Sequence, residues 1–391
     1  MLLDPLVIVR AVHFAACTAA IGTLVLALLI RTAGRGVPAV SAAIRRRLRD
    51  LGLGALTVVV GSGALWLALI ASHILDVPLA EVFDNGGLAA VAMDTSFGRV
   101  ACLRLGLAVG AGGLLLWQGP GWPASGAVTV LVAAIALTGH AGAGTGAAGL
   151  FHMFSDVVHL IAAGVWLGAL PALAWLLMQS RTEPALDALT SEVTRRFGTV
   201  ALIAVAALLV SGIVNTAILV GWSADAFATT YARTLTLKVA LFAAMLVLAA
   251  FNRLRLTPAL PRPSALSALV ATVLAETALG LGILLLVGLL GTLPPAAHVH
   301  TSATAIKREA ALVHIHTSQA MADFIVASRR TGTAAATVQF WHGNYRPFAA
   351  DRVRLTLEPT AGSASTVTCD GGSTAEGTWV TTGLRMQSEG E

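Results

Sequence analysis

Apolar residues fill the first three quarters of this chain in runs far longer than a soluble core needs. A helix that crosses a bilayer takes about 20 consecutive apolar residues. Eight stretches meet that length, at about 6–30, 51–75, 100–118, 124–142, 151–178, 198–220, 233–251 and 266–290. The first has no basic start, since Asp4 precedes Arg10, and no cleavage site precedes Arg31, so it reads as a retained helix rather than a signal peptide. After Leu290 the pattern changes. Pro294 and Pro295 close the last helix, and polar and apolar positions then alternate. In "DRVRLTLEP", Val353, Leu355 and Leu357 point one way and Arg354, Thr356 and Glu358 the other, as in a half-buried strand. "ATVQFWHGNYRPF" reads as a strand that ends in a turn at Gly343-Asn344.

The pattern therefore predicts an all-α polytopic membrane helix bundle of about eight helices over residues 1–292. A linker follows at 293–311, and a small all-β, sandwich-like domain at 312–391. The closing "RMQSEGE" reads as a strand and a turn with no strand after it, which predicts a domain that stops early. No internal repeat is strong enough in the sequence to use.

Composition agrees with a lipid-facing chain. Of the 391 residues 56% are hydrophobic and 12% charged, against about 25% charged in a soluble domain. The basic residues orient the bundle. Arg31, Arg35, Arg45, Arg46, Arg47 and Arg49 follow the first span, Arg181, Arg195 and Arg196 the fifth, and Arg253, Arg255 and Arg262 the seventh. These links belong on the cytoplasmic side, which puts both termini on the opposite, periplasmic side of a bacterial inner membrane. The net charge of +5 follows from this topology and does not call for a nucleic-acid partner; the surrounding medium is lipid. The three cysteines, Cys17, Cys102 and Cys369, form no CxxC and no disulfide framework.

This topology puts none of the ten histidines in a cytoplasmic link. His13, His73, His140, His152 and His159 lie toward the outer ends of their spans, and His298, His300, His314, His316 and His342 lie in the tail. Imidazole is the commonest protein ligand for transition metals. His152, Asp156 and His159 are spaced to share one face of a helix, and His140 sits across a glycine-rich loop from them. Met153 lies about 100° further round and is the weaker candidate. His13 and Cys17 share a face by the same rule. Histidine with methionine and cysteine suits copper, whose reduced form favours soft ligands. Each feature also has a plainer reading: a hydrogen-bonded histidine at a helix end for His13 and His73, a small packing residue for Cys17, and solvated linker residues for the His298/His300 and His314/His316 pairs, which otherwise form secondary metal sites.

Three further polar residues lie within spans. Lys238 and Glu276 come out at ~20 and ~16 Å from the cytoplasmic ends, close enough in depth to pair and so offset the cost of burying both. Ser211, Gly212 and Asn215 read as a close-packing patch with a hydrogen-bonding asparagine. The chain has no HExxH, no Ser-His arrangement and no nucleotide motif, and reads as neither an enzyme nor an ATP-driven pump.

The stretch "GHAGAGTGAAGLFHMFSDVVHLIAAGVWLGALPAL" resembles the copper resistance D (CopD) family. It carries Gly139-His140-Ala141, Asp156 to His159, and Trp166-Leu167-Gly168-Ala169-Leu170, with Ala169 where the family has a second glycine. Arg196-Phe197, Ser211-Gly212, Asn215, Thr230-Tyr231, Arg233, Lys238, Asn252-Arg253 and Glu276 continue the likeness, with Ala232 at a usual glycine. The resemblance covers roughly residues 1–295, and the tail is similar to the extracytoplasmic β-domain of some members. It implies an inner-membrane protein of copper uptake or homeostasis, with copper as the bound ion and a periplasmic copper carrier of the CopC kind as partner. The alternative is a haem-binding electron-transfer protein, with His13, His73, His140 and His159 as possible axial pairs; the visible absorption of a haem would reveal it.

Overall fold

The computed structural model describes residues 4–34, 38–84, 86–138, 146–220, 229–260, 262–293, 310–316, 320–329, 333–342, 350–357, 367–371, 374 and 377–385. The chain divides into two compact units, Met1–Ala297 and His298–Glu391.

The first unit is helical: α1 (Pro5–Ala33), α2 (Pro38–Leu75), α3 (Gly87–Asp94), α4 (Ser96–Gln118), α5 (Trp122–Ala133), α6 (Gly146–Leu167), α7 (Leu170–Ser180), α8 (Asp187–Leu219), α9 (Thr230–Phe251) and α10 (Pro263–Leu290). Among the described residues seven helical stretches are long and apolar enough to cross a membrane, with α6 and α7 counted together as Gly146–Ser180. The expected span at 124–142 is described as far as Thr138, as the shorter apolar stretch Trp122–Thr138. The chain is a multi-pass membrane protein.

Local chemistry sets the helix ends. Asp4 caps α1 by accepting from the Leu6 amide at 2.8 Å, with Pro5 following it. Thr95 caps α4 through the Gly98 amide at 2.9 Å, and Thr229 caps α9 through the Ala232 amide at 3.1 Å. Each side-chain oxygen satisfies an amide that the first helical turn leaves without a partner. The break between α6 and α7 falls at Gly168-Ala169, just before Pro171, whose ring removes a helical donor.

Helix α1 is the most buried of the spans. It is apolar nearly all round, as a central helix must be, and packs against α2, α5, α6, α8 and α10. Its crossing with α6 is close. A Cβ on Gly168 would strike the Thr18 carbonyl, one on Gly22 would strike the Gly168 backbone, and one on Gly164 would strike Ile21. Glycine lets the two backbones meet, the usual basis of helix association where lipid removes the hydrophobic drive.

Polar contacts identify the two ends of the bundle. Arg10 Nη1 donates to the Gly291 carbonyl at 2.6 Å, so the start of α1 lies beside the end of α10. At the other end Arg45 donates to the Pro120 carbonyl (3.4 Å), Arg196 donates to Thr32 Oγ1 (3.1 Å), and Gly198 faces Arg253. The arginines of the three basic links thus gather at one end.

The described elements of the second unit are β-strands. β1 (Ala310–His316), β2 (Ala320–Arg329), β3 (Thr333–His342) and β6 (Thr378–Arg385) form an antiparallel sheet in the order β1-β2-β3-β6, with a register shift between Ala334 and Ala336. β4 (Val353–Leu357) pairs with β5 (Val367–Gly371) as a separate two-stranded sheet. Val353 is buried and Arg354 exposed, in line with the alternation expected of that strand. The expected turn at Gly343-Asn344 lies outside the described residues.

Candidate functional site

Helix α6 brings His152, Asp156 and His159 along one side, and α8 supplies their partners. Ser211 Oγ donates to the Ala207 carbonyl at 2.6 Å. Its proton is therefore spent, and the 3.0 Å contact with His159 Nδ1 must be a hydrogen bond from the ring N–H to the serine oxygen. This fixes the tautomer. Nε2 of His159 keeps a bare lone pair, the state a metal needs, with the outer-shell serine orienting the ring. Asn215 Nδ2 donates to Asp156 Oδ1 at 3.4 Å, and Asn215 Oδ1 is buried without a partner. Gly212 packs beside the His159 ring: a Cβ there would lie 3.6 Å from its Cε1. Lys238 on α9 acts electrostatically on both Asp156 and His159, and Asp156 acts on His152 and Tyr231. Met153, next to the buried His152, is half-buried.

The remaining expected positions stand apart. Among the described residues no three His, Cys, Asp or Glu side chains group as a metal would need. His140, His298 and His300 lie outside the described residues. His314 and His316 are alternate positions of β1, opposite Asp323 and Met321 in register. His73 Nδ1 contacts the Leu69 carbonyl at 2.8 Å on an exposed helix end. Lys238 does not pair with Glu276. Glu276 is buried and accepts from Asn252 Nδ2 at 2.5 Å, and Asn252 Oδ1 in turn accepts from Thr272 at 2.6 Å. Depth alone suggested the pairing, but the electrostatic partners of Lys238 are Asp156 and His159 of α6, and Asn252 sits where α9 widens into a π-turn at Asn252–Leu256 and reaches α10.

His13 belongs to a separate cluster built on the same plan. Ser62 Oγ donates to the Val58 carbonyl at 2.6 Å and receives His13 Nδ1–H at 3.0 Å. Arg104 donates to His13 Nε2 and, at 3.4 Å, to Thr138 Oγ1. Gly63 packs on His13 as Gly212 packs on His159.

The correspondence extends along both halves of the unit, and the sequence reading missed it. Aligning His13 with His159 on α1 and α6 also aligns Gly22 with Gly168, the two glycines that meet at the crossing. Aligning Ser62-Gly63 with Ser211-Gly212 on α2 and α8 also aligns Arg46-Arg47 with Arg195-Arg196. On α4 and α9, "TSFGRVACLRL" from Thr95 matches "TTYARTLTLKV" from Thr229, so the capping threonines coincide and Arg104 falls on Lys238. In sequence α1, α2 and α4 thus correspond to α6, α8 and α9. The signal was in the sequence, spread over short matches whose spacing differs from helix to helix.

Fold and site together define a multi-pass helical membrane protein with a duplicated histidine–serine core. A family model described as "Copper resistance protein D" matches residues 191–290, and one described as "Copper resistance protein D-like, N-terminal domain" matches residues 1–150. Together they cover well over half of the chain, and most of α6 lies between them. The chain belongs to the copper resistance protein D family. Copper resistance protein D of Pseudomonas syringae pv. tomato is 34% identical over 135 residues, 34% of this chain and 44% of that protein. Copper transport protein CutJ of Bacillus subtilis (strain 168) is 34% identical over 139 residues, 36% of this chain and 25% of that protein. Inner membrane protein YebZ of Escherichia coli (strain K12) is 29% identical over 163 residues, 41% of this chain and 55% of that protein. The chain thus spans about half the length of these relatives or less. None of their names mentions haem. No solved structure matches the chain.

Proposed function

We propose that this protein carries copper across, or handles it at, the bacterial inner membrane, and that copper is first held by Asp156 and His159, with His140, His152 and Met153 completing the site. The observation that carries this reading is the His159 ring, held by Ser211 so that Nε2 is bare, on the same helix face as Asp156. An ionisable residue within a span is costly and usually functional, and the family supplies the identity of the ion. The arginine-rich end of the bundle is cytoplasmic by the positive-inside rule. Both ends of the helical unit and the β-domain are then periplasmic, and a carrier of the CopC kind delivers copper to the α6 face. The protein acts without catalysing a reaction.

The test is copper accumulation in cells expressing wild type, His159→Ala, Asp156→Ala or His140→Ala, with the copper content of each purified protein. The variants should fall to the accumulation of cells lacking the protein. Wild-type accumulation by all three variants, together with a copper-free wild-type protein, overturns the reading.

A further inference from the structure

We propose that the first half of the bundle binds one small monovalent inorganic anion, of the size of chloride, in the cavity beside Arg104 and Trp66. The anion supplies there the negative charge that the Asp156 carboxylate supplies in the second half. The inference is independent of the copper reading.

Three observations carry it. The first is charge. Arg104 is 3% exposed. Its guanidinium carbon lies 5.1 Å from the Trp66 ring centroid, and that of Arg10 lies 5.2 Å from it. Two cations thus share one indole, and among the described residues neither forms an ion pair. His13 adds no negative charge: its Nδ1–H donates to Ser62 and its Nε2 accepts from Arg104. Like charges repel, and buried charge without a counter-charge is costly. The second is unmet donors. Arg104 Nε, Arg10 Nε and Trp66 Nε1 are buried and find no acceptor among the described residues. Each is an N–H that can only donate, and buried donors are nearly always satisfied. An acceptor that also offsets positive charge is an anion. The third is room. His13, Gly63, Trp66 and Arg104 help to line a cavity of about 10 Å³, enough for about one water-sized species. No Asp or Glu lines it. A monatomic anion enters such a space with small shifts of the adjacent side chains, whereas phosphate or a lipid headgroup does not.

The duplication explains why this counter-charge comes from solution. Arg104 matches Lys238, and Lys238 acts electrostatically on Asp156. In the first half the place of Asp156 is held by Arg10. One half therefore carries its anion as a side chain, and the other has a second cation where that side chain would be. Arg104 and Trp66 line the cavity, while Arg10, which does not, strengthens the attraction through its charge. No covalent bond forms or breaks, so the anion binds reversibly and leaves the cluster with one net positive charge.

The experiment melts the purified full-length protein in detergent, at fixed pH and ionic strength, while sodium chloride replaces sodium gluconate, whose anion is too large for the cavity. Equilibrium dialysis against radiolabelled chloride counts the ions held per chain. Wild type should gain a few degrees of Tm on a curve that saturates, as a ligand of the folded state requires, and should hold one chloride. Trp66→Phe keeps a ring and drops the Nε1 donor, and should need several-fold more chloride for half of that gain. Arg10→Asp places a carboxylate where the second half has one, and its Tm should no longer depend on chloride. Arg104→Gln should retain no chloride, whereas Arg99→Gln, at an exposed arginine of the same helix, should behave as wild type. Equal melting in chloride and gluconate with no chloride retained overturns the proposal and leaves water as the occupant. A gain and a retained ion that persist unchanged in Trp66→Phe, Arg10→Asp and Arg104→Gln overturn it too, as a salt effect at the surface. Neither result bears on copper at the α6 site.

Discussion

His13 and His159 occupy matching places in the two halves, each held by a serine at 3.0 Å whose own proton goes to a carbonyl at 2.6 Å. Beyond that shared core the surroundings diverge. In the second half the polar neighbours are an acid, an amide and a lysine: Asp156, Asn215 and Lys238. In the first half the same three places hold Arg10, Trp66 and Arg104. The duplicated scaffold fixes how a histidine is oriented, and the residues around it decide what the histidine meets. One half places a carboxylate beside its histidine. The other holds two guanidinium groups against an indole beside a buried thiol, with no ion pair to either arginine among the described residues.

The largest expected effect tests whether the halves are joined as the glycines indicate. Gly22→Ala and Gly168→Ala each place a Cβ against backbone, which cannot give way as a flexible side chain does. Both should cost more than the roughly 1–3 kcal/mol of ordinary overpacking, seen as lost yield and a lower Tm of the detergent-purified protein. Gly61→Ala, with open space around it, should leave both unchanged. A silent Gly22→Ala beside a damaging Gly168→Ala would show that the crossing is not shared.

A smaller effect separates the two histidines. Ser211→Ala frees the His159 ring without touching either proposed ligand, and removing such an outer-shell partner typically costs about 10–100-fold in metal affinity. Ser62→Ala, which frees the His13 ring instead, should leave copper at the α6 site unchanged. Competition titrations on both variants read this directly, and an equal loss in the two would contradict a site confined to α6 and its neighbours.

How far the sequence reached depends on the range of the physics involved. Long apolar runs and strand alternation are local signals, so the helical bundle and the β-domain were legible from Pro5 to Leu290 and again at Val353–Leu357. The i, i+4, i+7 spacing of His152, Asp156 and His159 was legible for the same reason. Partner choice was not. Lys238 and Glu276 read as lying at comparable depths, but depth carries no information on rotation about the helix axis: Lys238 acts electrostatically on Asp156, and Glu276 accepts from Asn252. The serine that orients each histidine was hidden too, because Ser62 and Ser211 matter only through contacts with a distant helix. Once one such pair is known, the Ser-Gly dipeptide on α2 and α8 points to the other.

The smallest expected effect concerns the cation that each half places near its histidine. Arg104 donates to His13 and Thr138 while stacking on Trp66. A planar guanidinium performs these tasks together, and an ammonium on a flexible stem does not. Arg104→Lys should therefore lose one charge-assisted hydrogen bond and the stacking, destabilising the protein by about 1.5 kcal/mol. Lys238 makes no hydrogen bond among the described residues and acts through its charge alone, so Lys238→Arg should change stability by less than about 0.5 kcal/mol. Thermal unfolding of the two variants in the same detergent measures the asymmetry. If Lys238→Arg proved the more damaging, the lysine would be held by geometry as strictly as the arginine, and the second half would be the more tightly specified of the two.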